Sequence, residues 1–225
     1  MDVKSLVNQA QDKVELQDYQ GAETDFSQLL QLQPNNTTFY ICRAQNRARL
    51  KDNQGALADY SQVVKLAANE GYSYTNRGQF LAKIGDKENA LTDLNKAVSL
   101  SPNDYSVYMI RGKARDQLGD KPGAIEDYSQ AIKLRPKQAF YYIVRGKLFA
   151  QMGDQQNAKK DFNQAAQLSP DSTFIFVTLG NVHSQLGQKQ DALADFKRAI
   201  VLYSTQGNQK AAEGLQTRIK QLQLQ

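Results

Sequence analysis

Four arginines, Arg43, Arg77, Arg111 and Arg145, stand 34 residues apart, and six aspartates, Asp25, Asp59, Asp93, Asp127, Asp161 and Asp195, keep the same spacing. A row of guanidinium groups is the chemistry of phosphate binding when it faces solvent. Here each arginine sits beside a tyrosine and a small residue at core positions (Tyr108, Arg111, Gly112), so the two columns are expected to be partly buried and to pair, holding helix to helix. The tyrosines Tyr40, Tyr74, Tyr108 and Tyr142 could stack bases, but they recur in a core slot and are read as packing. His183 is the only histidine and Cys42 the only cysteine. One of each builds neither a metal site of several Cys/His ligands nor an internal disulfide, and His183 falls on a core face where a histidine is normally packed. Asp191 and Asp195 lie one helical turn apart, but Asp195 belongs to the structural column. The glycines all belong to repeat positions, which leaves no phosphate-cradling loop. No catalytic residue, metal ligand or cofactor site is legible, and the expectation is that the chain is not an enzyme.

The positions of these residues are set by a 34-residue period. Pro34, Pro102, Pro136 and Pro170 fall on one grid, with Ala68 and Ser204 at its other points; Ala22, Ala56, Ala90, Ala124, Ala158 and Ala192 form another. Registers that agree without insertion mean stacked repeats, each stabilised by its neighbours. Residues 105–138 show the design. Tyr108, Arg111, Gly112 and Arg115 lie on one face of a first helix. Gly119 suits a left-handed helix end, Asp120 an N-cap and Pro122 the first turn of a second helix. Ala124, Tyr128, Ala131 and Ile132 form the second helix's apolar stripe, which Pro136 ends. Gly78, Gly112, Gly146 and Gly180 give one small slot, with Ala10 and Ala44 before them; Phe26, Tyr60, Leu94, Tyr128, Phe162 and Phe196 supply a large side chain to each second helix.

This pattern of aromatic, small residue, Gly-Asp turn, Ala, aromatic, Ala and Pro resembles the tetratricopeptide repeat. The resemblance covers residues 3–206 as six units: 3–36, 37–70, 71–104, 105–138, 139–172 and 173–206. It implies an all-α, right-handed superhelical solenoid of helix-turn-helix units whose first helices line a concave groove. Gln17 and Lys51 replace the turn glycine in the first two units, and the second unit lacks the closing proline, so looser turns are expected there. Residues 207–225 do not repeat again; Ala211, Leu215, Ile219 and Leu222 give one apolar face, expected to form a C-terminal capping helix.

With the groove placed opposite the core face of each first helix, its residues are Gln45, Arg49, Tyr72, Gln79, Lys83, Met109, Lys113, Phe140, Ile143, Lys147, Phe174, Val177 and Asn181. The slot Gln11, Gln45, Gln79, Lys113, Lys147, Asn181 is a ladder of hydrogen-bond donors suited to peptide carbonyls and carboxylates. Phe140, Ile143, Phe174 and Val177 place an apolar stretch on a face expected to meet solvent, with packing between first helices or under the final helix as the alternative. Residues 1–104 hold 11 Lys+Arg against 13 Asp+Glu, and residues 105–225 hold 17 against 10. The basic half favours an acidic partner or a peptide carboxylate. The resemblance therefore implies a protein-interaction scaffold or adaptor of complex assembly, binding a protein or peptide ligand. The lysine, asparagine and arginine carboxylate clamp of some family members is not present in full. An RNA-binding helical repeat and a homo-oligomer formed through the terminal helix are the alternatives; paired variable polar residues for base reading are not seen, which disfavours nucleic acid. The chain has no apolar stretch of about 18 residues to span a membrane and no apolar leader, so a cytoplasmic protein is expected, although a piece cut from a longer chain would look the same.

Overall fold

A computed structural model describes residues 2–224, which form helices and, among the described residues, no strand. The chain divides into two compact parts, Met1–Leu118 and Gly119–Gln225, called here the N-terminal and C-terminal lobes. The N-terminal lobe contains α1 (Val3–Glu15), α2 (Tyr19–Leu32), α3 (Thr37–Arg49), α4 (Asn53–Leu66), α5 (Gly71–Ile84), α6 (Lys87–Leu100) and α7 (Tyr105–Gln117). The C-terminal lobe contains α8 (Lys121–Leu134), α9 (Ala139–Gln151), α10 (Gln155–Leu168), α11 (Thr173–Gln185), α12 (Lys189–Thr205) and α13 (Gln209–Leu224). Within each lobe every helix packs on the next in sequence; α5 also touches α7, and α9 touches α11, so alternate helices lie side by side.

Local chemistry marks the helix ends. Asp18, Asp52, Asp86, Asp120 and Asp154 each accept a hydrogen bond from the backbone N–H three residues on, capping α2, α4, α6, α8 and α10. Gln188 holds that place before α12 and makes no such bond. Pro34, Pro102, Pro136 and Pro170 follow the ends of α2, α6, α8 and α10. Where Ser204 replaces proline, α12 runs on to Thr205. Ala68 also replaces proline, yet α4 stops at Leu66: the Ser73 hydroxyl and the Glu70 N–H both bond the Ala67 carbonyl and hold the turn.

Close approach is the rule inside the hairpins. Ala22, Ala56, Ala90, Ala124, Ala158 and Ala192 are all buried, as are Phe26, Tyr60, Leu94, Tyr128, Phe162 and Phe196. A Cβ added to Gly78, Gly146 or Gly180 would come within 2.6–2.9 Å of Leu94, Phe162 or Phe196, so the small slot admits the large side chain sixteen residues on. At the other end of the chain α13 lies on α12 and buries Ala212 and Leu215, with Ile219 and Leu222 packed beside them; Ala211 is only half-buried, so the apolar face is turned one residue from its expected position.

The inter-helix turns are as tight in the first two hairpins as elsewhere. Gly85, Gly119, Gly153 and Gly187 have φ of 73–89°, and Gln17 and Lys51 adopt φ of 62° and 65° in the same place. The expected loosening is absent; the cost is backbone strain at two side-chain-bearing residues. Lys51→Gly should therefore stabilise the chain by about 0.5–1 kcal/mol, and Gly85→Ala, where a Cβ would touch nothing, should destabilise it by about 1 kcal/mol. Thermal denaturation followed by circular dichroism reads both, and shifts of equal sign would refute the strain.

Candidate functional site

The arginine and aspartate columns meet as structural clamps. Arg43, Arg77 and Arg145 each grip the aspartate sixteen residues on, Asp59, Asp93 and Asp161, through both Nε and Nη2 at 2.6–2.9 Å. Nη1 of the same arginines reaches back to Ser27, Ser61 and Ser129, and that of Arg111 reaches Asn95. Each arginine thus ties its own hairpin to the preceding second helix. The hydrogen-bonded carboxylates hold the Arg43 and Arg77 guanidinium groups above their ordinary value, against the opposing effect of burial. A second cation column reinforces the first at Asp59 and replaces it at Asp25 and Asp195. Lys13 lies 2.7 Å from Asp25 and Arg47 lies 3.0 Å from Asp59, both twelve residues before their aspartate. In the last hairpin Leu179 takes the arginine place, and His183, at that twelve-residue offset, puts Nδ1 2.6 Å from Asp195, with its ring edge-on to Phe162. The tyrosine column is used internally: Arg43, Arg111 and Arg145 lie over Tyr40, Tyr108 and Tyr142, and the Tyr108 and Tyr142 hydroxyls donate to the Pro102 and Pro136 carbonyls. With these side chains committed to packing, the free polar chemistry of the first helices lies on their other face.

That face forms a groove of about 770 Å³ in the N-terminal lobe. Its walls are Gln45 and Arg49 of α3, Asn76, Gln79 and Lys83 of α5, Ile110, Lys113 and Gln117 of α7, and Lys87 at the start of α6. Tyr60 and Phe80, rings 5.2 Å apart, lie at its base. Burial pushes the Tyr60 phenol up to about 12, so it stays neutral there. The lining carries four cations, four side-chain amides and no acidic residue. Arg49 is steadied by the Tyr19 ring, 4.8 Å from its guanidinium carbon. Tyr72 and Met109 stand outside this lining; Tyr72 is exposed and its hydroxyl is 3.1 Å from that of Thr37.

In the C-terminal lobe the expected apolar stretch divides. Phe140 and Phe174 are 42% and 61% exposed, with ring centroids 6.4 Å apart. Ile143 is 1% exposed and belongs to the core with Leu179, and Val177 packs into the cluster around Phe196 that α13 also covers, so neither forms an open face. Lys147 and Asn181 are half-buried. The difference has one geometric cause. Positions four residues before the donor slot (Thr75, Ile143, Val177) turn toward neighbouring helices, and those three residues before it (Asn76, Ile110) face the groove.

Models described as tetratricopeptide repeat match residues 7–72, 71–104, 141–172 and 175–206, and one described as TPR repeat matches 112–153. The chain belongs to the tetratricopeptide repeat family. No curated protein matches it in sequence. Among solved structures, a tetratricopeptide repeat protein from Parabacteroides merdae is 18% identical, with a TM-score of 0.69 over 98% of this chain and 93% of that one. MamA 41-end from Desulfovibrio magneticus RS-1 is 23% identical, with a TM-score of 0.63 over 76% of this chain and 96% of that one. A thermophilic TPR protein of Thermus thermophilus is 19% identical, with a TM-score of 0.61 over 80% of this chain and 98% of that one. At these identities the likeness shows the fold, an all-α helical repeat.

The tetratricopeptide repeat is a protein-interaction scaffold, and no described helix of this one is long and apolar enough to cross a membrane. Its clamps predict a specific energetic asymmetry. Arg77→Met leaves Asp93, 5% exposed, without its bidentate partner and should cost about 3 kcal/mol in urea denaturation. Arg77→Met with Asp93→Asn, which removes the orphaned charge, should recover part of that loss. A double variant as unstable as the single one would contradict the clamp.

Proposed function

We propose that this chain is a non-catalytic adaptor that binds an extended acidic peptide segment of another protein in the groove of its N-terminal lobe. The observation that carries the reading is the lining: Arg49, Lys83, Lys87 and Lys113 interleaved with Gln45, Asn76, Gln79 and Gln117, with no acidic side chain among them. An extended peptide offers backbone carbonyls along its length, which side-chain amides can bond, and acidic side chains at intervals, which the cations attract. The Tyr60–Phe80 base gives an apolar floor for a peptide's own hydrophobic side chain. The basic excess of residues 105–225 contributes Lys113 alone to this lining; the N-terminal lobe concentrates its cations locally although residues 1–104 carry a small acidic excess.

Fluorescence anisotropy with a labelled Asp/Glu-rich peptide of about ten residues tests the reading, ten extended residues spanning about 33 Å. The wild type should bind, affinity should fall as salt rises, and Lys83→Glu with Lys113→Glu should weaken binding at least about tenfold. Both lysines are exposed, so the variant should keep its helical circular dichroism. Unchanged affinity in the variant would move the site elsewhere, and preference for an oligoribonucleotide over the peptide would replace the reading with RNA binding.

A further inference from the structure

We propose that the Tyr60 hydroxyl, at the base of the N-terminal groove, sets specificity by taking one carboxylate side chain of the bound peptide. This rests on the reading of the groove as a peptide site and adds the place where an acidic side chain is seated. Tyr60 is the one lining residue that comes from α4, a second helix; the others belong to α3, α5 and α7 or follow their ends. It packs in one cluster with Ala44 and Ala48 of α3 and Phe80 of α5, so its ring runs forward between the first helices. A side chain that arrives from behind meets the groove with its far end, and on tyrosine that end is the hydroxyl.

The fold makes no use of this hydroxyl. The residue is only 6% exposed, yet its oxygen has no hydrogen-bond partner among the described residues. The Tyr108 and Tyr142 hydroxyls, by contrast, donate to proline carbonyls. Packing does not need it either, since Phe26, Phe162 and Phe196 fill the same 34-residue column with a bare ring and are equally buried. A ligand atom that meets the Tyr60 oxygen gains a hydrogen bond that the chain leaves open. Charge selects the ligand atom. Arg49, Lys83, Lys87 and Lys113 stand in the same lining with no acid among them, and the neighbouring Asp59 is held by Arg43 and Arg47. A ligand cation is repelled there and an anionic oxygen is drawn in. Burial keeps the phenol protonated, so it donates to a carboxylate without adding a charge of its own. The other buried lining residues, Phe80 and Ala114, are apolar, which makes this hydroxyl the one polar group at that depth.

Fluorescence anisotropy with a labelled peptide of about ten residues, non-repeating in sequence and about half glutamate, tests the contact. Tyr60→Phe should weaken binding about fivefold to tenfold and should keep the thermal unfolding midpoint, because phenylalanine fills this column elsewhere. Each peptide glutamate is then replaced by glutamine in turn, against both proteins. One position should cost the wild type about fivefold more than it costs Tyr60→Phe; the remaining positions should cost both proteins alike. A wild type that binds the peptide no better than Tyr60→Phe does overturns this inference and leaves the groove reading standing. Weaker binding by Tyr60→Phe with equal losses at every position shows that the hydroxyl meets a neutral group, which overturns the carboxylate. A wild type that does not bind the peptide removes both the groove reading and the seat.

Discussion

A carboxylate buried between two helices must have a partner, because leaving it charged and alone costs several kcal/mol. Among the described residues this chain buries five of them, Asp25, Asp59, Asp93, Asp127 and Asp161, at 1–5% exposure. Where the clamp is seen in full, at Asp59, Asp93 and Asp161, a planar guanidinium bonds both carboxylate oxygens and fixes the register of one helix on the other. The third donor of the same group holds the preceding hairpin. One polar device thus sets both the hairpin and its stacking, and hydrophobic contact around Ala, Gly and the large side chain of the second helix fills in behind it.

The clamp also decides what is left over. Arginines and tyrosines that look suited to phosphate or base recognition are spent on aspartates and on each other. What remains free on α3, α5 and α7 is a different set of side chains, one helical face away: Gln45, Arg49, Gln79, Lys83, Lys113. Their positive potential arises locally, in a lobe whose total charge gives no hint of it.

Much of this is legible from residue types at fixed intervals. The 34-residue columns carry the hairpins, the capping aspartates, the small-to-large packing and the arginine-aspartate pairing, because each depends on a residue's chemistry at one repeated place. The alternative cation column (Lys13, Arg47, His183) is harder to see, although its twelve-residue offset is in the sequence; Leu81 and Phe149 at the same column break the pattern and hide it. Ile143 and Val177 escape a reading by helical face because a shift of one residue turns a side chain by about 100° around a helix, enough to exchange a groove wall for a helix-helix contact. Lys51 departs from expectation for another reason: residue type reports the cost of a left-handed turn, not whether the surrounding hairpin imposes it.

On the proposed function, the basic face of the first helices in the N-terminal lobe is the surface that meets an acidic partner. Backbone amide chemical shifts of the isotope-labelled chain, followed during titration with an Asp/Glu-rich peptide, test it without altering a residue. Perturbations concentrated at Gln45, Arg49, Gln79, Lys83, Lys113 and their helical neighbours are the predicted result. Perturbations confined to the outward faces of α2, α4 and α6, or to the C-terminal lobe, would contradict it.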